Sequence, residues 1–309
     1  MPQQTIRAHV ALFLVALIYA ANYTIAKVVM DTGLLSPSAF IIIRLLGAVT
    51  IIWLVTFCTR SERVARKDHL RLIACGLTGS ALNQLFFFEG LHRTSPIHAS
   101  LIMTITPIIV LILGVIIYKY PIKWHKWIGI ALGITGASFL ILKGANTSET
   151  LRYPQQVLGN SFIAINATAY AIYLILVKSL MAKYKAWTVI RWVFLYGLLF
   201  VLPIGLGDLL KSSFHALNVS HIMSIAYVIL FTTVAAYVLN AYAIRTVRPS
   251  VVSMYIYLQP VLATAIAVLF RNESLRIADV LMGLVICVGV LLVSIEEPKR
   301  LFSKKNQEF

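Results

Sequence analysis

The chain has 309 residues, of which 60% are hydrophobic and 12% charged, with a formal net charge of +16. Soluble domains carry about 25% charged residues, so this chain has too little charge to cover a water-facing surface. The surplus Lys and Arg lie in short clusters between apolar runs and not along a polar face, which argues against a nucleic-acid-binding module.

A helix needs about 20 apolar residues to cross roughly 30 Å of hydrocarbon. Ten runs meet this and are predicted as spans: 9–29, 37–58, 70–91, 96–118, 125–143, 157–179, 187–207, 221–243, 249–270 and 278–295. The first is too long for the apolar core of a cleavable signal and has no small-residue cleavage site, so it reads as a retained span. In lipid the backbone must satisfy its own hydrogen bonds, which makes such runs helices. Membrane strands would alternate over about ten residues, and 128–142 does not alternate. The longer connections are 60–69, 144–156 and 207–220, and 296–309 is a polar tail. Cys58, Cys75 and Cys287 are irregularly spaced in or beside apolar runs and read as packing residues.

Orientation follows the basic residues. With the N-terminus inside, nineteen of the 27 Lys and Arg fall on the inner side, seven on the outer side, and Arg44 within a span. Both termini are therefore expected in the cytoplasm.

The chain also repeats itself. Tyr19, Lys27 and Met30 are spaced as Tyr170, Lys178 and Met181, and Ile43-Arg44-Leu45 parallels Ile190-Arg191-Trp192. Pro96, Ser100, Pro107 and Gly136 match Pro249, Ser253, Pro260 and Gly289 at one constant offset. Each half holds five spans, an odd number, so the second half enters from the opposite face. The expected fold is an all-α integral membrane protein of ten transmembrane helices. They form two inverted-topology five-helix repeats, 8–143 and 157–295, followed by a cytoplasmic tail, 296–309.

These residues carry a resemblance. The first span ending in Lys27, the stretch from Pro37 to Arg44, and the series Gly90, Leu91, Ser95, Pro96, Ala99, Ser100, Pro107 resemble the EamA-type transporters of the drug/metabolite transporter superfamily. So do Ala243, Ile244, Pro249, Gln259, Pro260 and Glu273 in the second half. The chain departs from the family pattern at Tyr19-Ala20, where Trp-Gly is frequent, and at Lys119-Tyr120, where Gly-Glu is frequent. The resemblance implies alternating-access transport of small metabolites, amino acids or related amphipathic solutes, across the cytoplasmic membrane. It also implies a central cavity lined by spans one, three, four, six, eight and nine.

Polar groups at membrane depth are unfavourable unless paired and are the first functional candidates. The candidate solute-binding residues are Tyr19, Asn22, Asn83, Gln84, Thr104, Thr106, Asn166, Tyr170, Tyr237, Tyr257 and Gln259, with Thr232 and Thr233 beside them. Amides and phenols of this kind can hold the polar groups of a small solute, and interhelical hydrogen bonding is their structural alternative. Pro107 and Pro260 remove backbone donors in mid-span and are candidate hinges. Arg44 and Arg191 are equivalent and have a structural or gating role, with solute contact as the other reading. Lys27 and Lys178 close their helices as interfacial anchors.

No acidic residue sits deep in a span, Glu89 comes nearest, and His92 and His98 are expected near the outer surface. Facilitated or weakly coupled transport is thus expected over carboxylate-centred proton antiport. No metal spacing, phosphate loop or dinucleotide signature is present, so neither enzyme nor cofactor is expected. A channel or membrane-embedded sensor is the alternative reading. The expected partners are a small-molecule solute and the lipid bilayer, with no nucleic acid, and a monomer fits the plan.

Overall fold

A computed structural model describes residues 3–57, 62–119, 122–142, 153–236, 238–239, 242–243, 255 and 257–294. Cys58, Tyr237, Ile244, Pro249, Ser253 and the tail 296–309 lie outside them. The described chain is helical, with no strand among the described residues. In order it forms α1 (Gln3–Met30), α2 (Pro37–Phe57), α3 (Arg66–Gly76), a π-helical segment (Leu77–Leu82), α4 (Asn83–Arg93), α5 (Pro96–Met103), α6 (Thr106–Tyr118) and α7 (Trp124–Leu142). Then come α8 (Gln156–Lys183), α9 (Ala186–Lys211), a short 3-10 turn (Phe214–Ala216), α10 (Val219–Ile229), a second π-helical segment (Leu230–Ala235), α11 (Leu258–Arg271) and α12 (Ile277–Ser294).

Seven helical stretches among the described residues are long and apolar enough to cross a membrane: 4–30, 37–56, 96–117, 124–142, 156–183, 186–211 and 277–294. Val219–Ala235 and Leu258–Arg271 are apolar but shorter, and 244–254 and 256 beside them lie outside the described residues. The remaining predicted run, 70–91, lies within the helical stretch from Arg66 to Arg93. Large apolar side chains such as Leu54, Leu199, Ile204, Leu269 and Leu284 point outward. Asn160, Asn166, Thr232 and Gln84 are buried. Polar groups inside and apolar groups outside is the arrangement a hydrocarbon solvent selects.

The tightest packing uses small residues, which let helix backbones approach where lipid gives no hydrophobic drive between helices. α7 runs along α12, and a Cβ at Gly129 would lie 2.6 Å from the Gly289 carbonyl oxygen, with the reciprocal contact also 2.6 Å. α2 packs on α9, α4 on α8, α1 on α10 and α11, and α6 on α8. At the centre the buried rings of Phe40 and Phe88 meet edge-on, 5.0 Å apart.

One spacing recurs. The π-segments are separated by 153 positions, 77 to 230 and 82 to 235. The same step joins Lys119, where α6 ends (φ 53°, ψ 38°), to Asn272, where α11 ends (φ 51°, ψ 39°). These two are the left-handed non-glycine residues among those described. Left-handed residues commonly close helices, and here the closure falls at matching places. Pro107 and Pro260 also keep the step, but neither kinks a continuous helix. Pro107 stands in the first turn of α6, after a break at Thr104 and Ile105, and Pro260 in the first turn of α11. A proline is tolerated in a first turn because the backbone N–H groups there have no intrahelical acceptor.

Candidate functional site

The two π-segments bring polar side chains inward. A π turn widens the helix and recurs at functional sites. In the second segment Thr232 and Thr233 are both buried, and Thr232 donates back to the Val228 carbonyl. Arg44 reaches this segment from α2. Its Nη2 donates to Thr232 Oγ1 at 3.3 Å, and its guanidinium carbon lies 5.4 Å from the centroid of the Phe88 ring on α4. Arg44 thus joins spans two, three and eight.

A set of buried amides lies at the same level of the sequence pattern. Asn166 on α8 donates to the Asn83 carbonyl at the start of α4. The amide oxygens of Asn22, Gln84 and Asn166 are buried and accept no hydrogen bond among the described residues. A buried amide oxygen normally has a donor, so three such oxygens on α1, α4 and α8 mark places where a water or solute donor fits.

The other candidates fall into separate settings. Tyr19 and Gln259 are half-buried. Thr104 and Thr106 turn their hydroxyls back to the carbonyls of Leu101 and Met103 in the preceding turn, Thr106 at 2.7 Å. The Tyr257 hydroxyl lies 2.9 Å from Ser294 at the end of α12. Tyr170 is 37% exposed and stacks on Tyr173 at 5.8 Å.

One end of the bundle is tied by ions. Lys27 is 0% exposed. Its ammonium donates to the carbonyls of Leu91 (2.7 Å) and His92 (3.2 Å) in the last turn of α4, where a cation is favoured. It also lies 3.5 Å from Asp31 and 4.7 Å from the Tyr153 ring centroid. Asp31 pairs with Arg271 at the end of α11. Arg271 in turn is 3.7 Å from Glu273, which accepts the Tyr153 hydroxyl at 2.6 Å. The chain of contacts crosses from the first half of the sequence to the second.

A profile of the EamA-like transporter family matches residues 6–142 and again 157–295. The chain belongs to the EamA-like transporter family. An uncharacterized transporter of Archaeoglobus fulgidus is 23% identical over 94% of this chain and 98% of its own length. The uncharacterized transporter YetK of Bacillus subtilis is 23% identical over 84% of this chain and 78% of its own. A WAT1-related protein of Arabidopsis thaliana is 22% identical over 93% of this chain and 85% of its own. A solved crystal structure with 16% identity superposes with a TM-score of 0.60, covering 94% of this chain and 98% of the other, which speaks for the fold alone. This EamA-like protein is accordingly a multi-pass membrane transporter of small solutes.

At the opposite end of the transporter, Arg191 has surroundings unlike those of Arg44. Its Nη2 donates to the Glu62 carbonyl at 3.1 Å, and its guanidinium carbon lies 5.4 Å from the Trp53 ring centroid. Glu62 accepts from the Lys185 backbone N–H (2.8 Å) and from Thr188 (3.0 Å). Asp68 accepts from Tyr184 (2.8 Å) and Lys183 (3.2 Å).

Sequence reasoning missed three features of this transporter. The π-segments have no composition signal of their own. Lys27 was expected as an anchor at the lipid interface but is enclosed by protein. His98, whose partners the sequence does not reveal, is buried with Nε2 3.6 Å from Asp279 and Nδ1 3.0 Å from Gln156. The position of His98 two residues after Pro96, at the start of a span, was the available signal.

Proposed function

We propose that this transporter works by alternating access between two five-helix halves, 8–143 and 157–295, that enter the membrane from opposite faces. Both termini and the tail 296–309 are cytoplasmic in this reading. The cargo is small metabolites, amino acids or related amphipathic solutes, moved across the cytoplasmic membrane by facilitated or weakly coupled transport. Asn22, Gln84 and Asn166, with Tyr19, Asn83 and Gln259, contact the solute, and Pro107 and Pro260 are the hinge positions.

The observation that carries this reading is the difference between two matching lysines. Lys27 is enclosed at the closed, ion-tied end, whereas Lys178 is exposed. Alternating access by two inverted halves requires such a difference, because one half holds the conformation that the other adopts after the switch. The packing supports it. The pairs α2/α9 and α7/α12 each join matching spans, while α1 on α11 answers α6 on α8, and α3 on α8 answers α1 on α10. Exchanging the halves returns these pairs.

The test is flux into proteoliposomes holding the purified protein, with labelled amino acids and small metabolites outside. Saturable uptake that rises when unlabelled solute is loaded inside is the expected result. Uptake that grows linearly with concentration and ignores internal solute would point to a channel and remove the alternating-access reading.

A further inference from the structure

α3 packs on α8 where two of the apolar runs reach one edge of the membrane, 70–91 beginning there and 157–179 ending there. Arg71 on α3 donates from Nη1 to Ser179 Oγ on α8 at 2.7 Å. The bond ties the first half of the chain to the second. Arg66, Lys67, Arg71 and Lys178 are all exposed around it. Glu62 and Asp68, the described carboxylates of this end, are held by Lys185 and Thr188 and by Tyr184 and Lys183. Arg66, Arg71 and Lys178 pair with no carboxylate among the described residues. Apolar groups stand next to these cations. Leu70, beside Arg71, is 76% exposed, and Met181, three positions after Lys178, is exposed as well.

We infer that the seam between α3 and α8 binds the headgroup phosphate of an anionic phospholipid, held by Arg71 and Lys178, with the acyl chains along Leu70 and Met181. An arginine fork and a lysine ammonium both suit a phosphate. Long basic side chains reach the headgroup level while their stems stay on apolar surface, and basic residues between spans at the membrane edge attract anionic lipid. The other half of the chain shows what the same backbone does without the cations. α10 begins at Val219 as α3 begins at Arg66, the same step of 153 positions. Met223 there is 64% exposed, as Leu70 is. Yet Val219, Ser220 and Ser224 stand where α3 has Arg66, Lys67 and Arg71. Lys27, which matches Lys178, is turned inward to the Leu91 and His92 carbonyls. Both places meet acyl chains, and only the α3 place meets a phosphate. A lipid held there bridges the two halves whatever solute the protein carries.

Full-length purified protein in a neutral detergent is offered equimolar phosphatidylglycerol and phosphatidylcholine with matched acyl chains, and the retained lipid is counted by native mass spectrometry. The expected result is saturable retention of phosphatidylglycerol, about 10- to 30-fold over phosphatidylcholine. Arg71→Gln combined with Lys178→Gln brings the two lipids close to parity. Lys211→Gln, at the end of α9, leaves the preference unchanged. Equal retention of the two lipids by the wild type, an unchanged preference in the double variant, or the same loss in Lys211→Gln would each overturn the inference. If the double variant does not fold, Lys178→Gln alone serves, since its side chain is exposed. It is expected to lower the preference several-fold, and no change counts against the site. Inorganic phosphate is the second probe. Retention that persists in millimolar phosphate supports a lipid site, whereas complete displacement would make it a site for free anions and remove the lipid.

Discussion

Lys27 and Lys178 stand eight residues after Tyr19 and Tyr170 in the two halves, yet the ammonium of Lys27 is 2.7 Å from the Leu91 carbonyl and fully enclosed, while Lys178 is exposed. The two positions therefore respond differently to the same substitution. A hydrogen bond from a charged donor contributes about 1.5–3 kcal/mol, and Lys27 makes two to helix-end carbonyls. Lys27→Met is expected to lower stability by about 2 kcal/mol or more. Lys178→Met should stay within about 0.5 kcal/mol, as exposed substitutions do. Thermal unfolding of the purified variants decides this, and equal losses would show that Lys27 is not a structural tie in the folded state.

Gly129 and Gly289 hold α7 and α12 at backbone contact. Gly289→Ala places a methyl group 2.6 Å from the Gly129 carbonyl oxygen, and overpacking of this kind costs about 1–3 kcal/mol. At Gly114 an added Cβ meets nothing within 4 Å, so Gly114→Ala should be neutral or slightly stabilising, since alanine is the better helix former by up to about 1 kcal/mol. Tm values for the two variants should move in opposite directions or differ by several degrees. Matching values would mean that the helices separate without loss.

Acid should loosen the end opposite the Lys27 contacts. The Tyr184 hydroxyl first, and then Lys183, hold the Asp68 carboxyl below its ordinary value of 3.8. The Lys185 backbone N–H first, and then the Thr188 hydroxyl, do the same for Glu62 against 4.5. A depressed carboxylate adds stability that is complete above its unfolded value and disappears as the pH falls through the folded one. Asp68→Asn should therefore have a lower Tm than the wild type at neutral pH, by a constant amount down to about pH 5. The gap should shrink below about pH 4. A gap that persists in acid would assign the effect to packing and not to charge.

Pro107 and Pro260 lie in the first turns of α6 and α11, Pro107 just after the break at Thr104 and Ile105. Replacing both with alanine restores two backbone donors and favours continuous helices by roughly 3 kcal/mol per site in helix interiors, less in a first turn. The double variant is expected to be at least as stable as the wild type and to transport at least fivefold more slowly, the loss falling on turnover and not on half-saturation. Unchanged turnover would remove the hinge role.

Much of the architecture was legible because lipid imposes simple rules. Span positions follow from apolar length, so 124–142 and 277–294 were found within a residue or two. The constant offset, read from Pro96, Ser100, Pro107 and Gly136, runs on into backbone geometry at Lys119 and Asn272. The site was less legible. Nothing at Leu77–Leu82 or Leu230–Ala235 announces a π turn, because the wider turn is fixed by the packing of neighbouring spans. The matching arginines looked alike in sequence, but Arg44 meets Thr232 while Arg191 meets the Glu62 carbonyl. Sequence equivalence fixes their place along a helix, and the conformation of each half fixes what they touch. Tyr170 is 37% exposed and stacks on Tyr173, and its place along the sequence does not by itself specify which side of the helix it takes.

The shared placement of the two π-segments has a historical consequence. A π turn arises when one residue is inserted into an α-helix. If the halves descend from one five-helix unit, insertions at 77–82 and 230–235 are more simply a single event inherited twice than two coincident ones. The founding unit then already carried the bulge while it was half the present length. Duplication and fusion of that unit then left two copies to diverge, with Arg44 and Arg191 among the positions that took different partners.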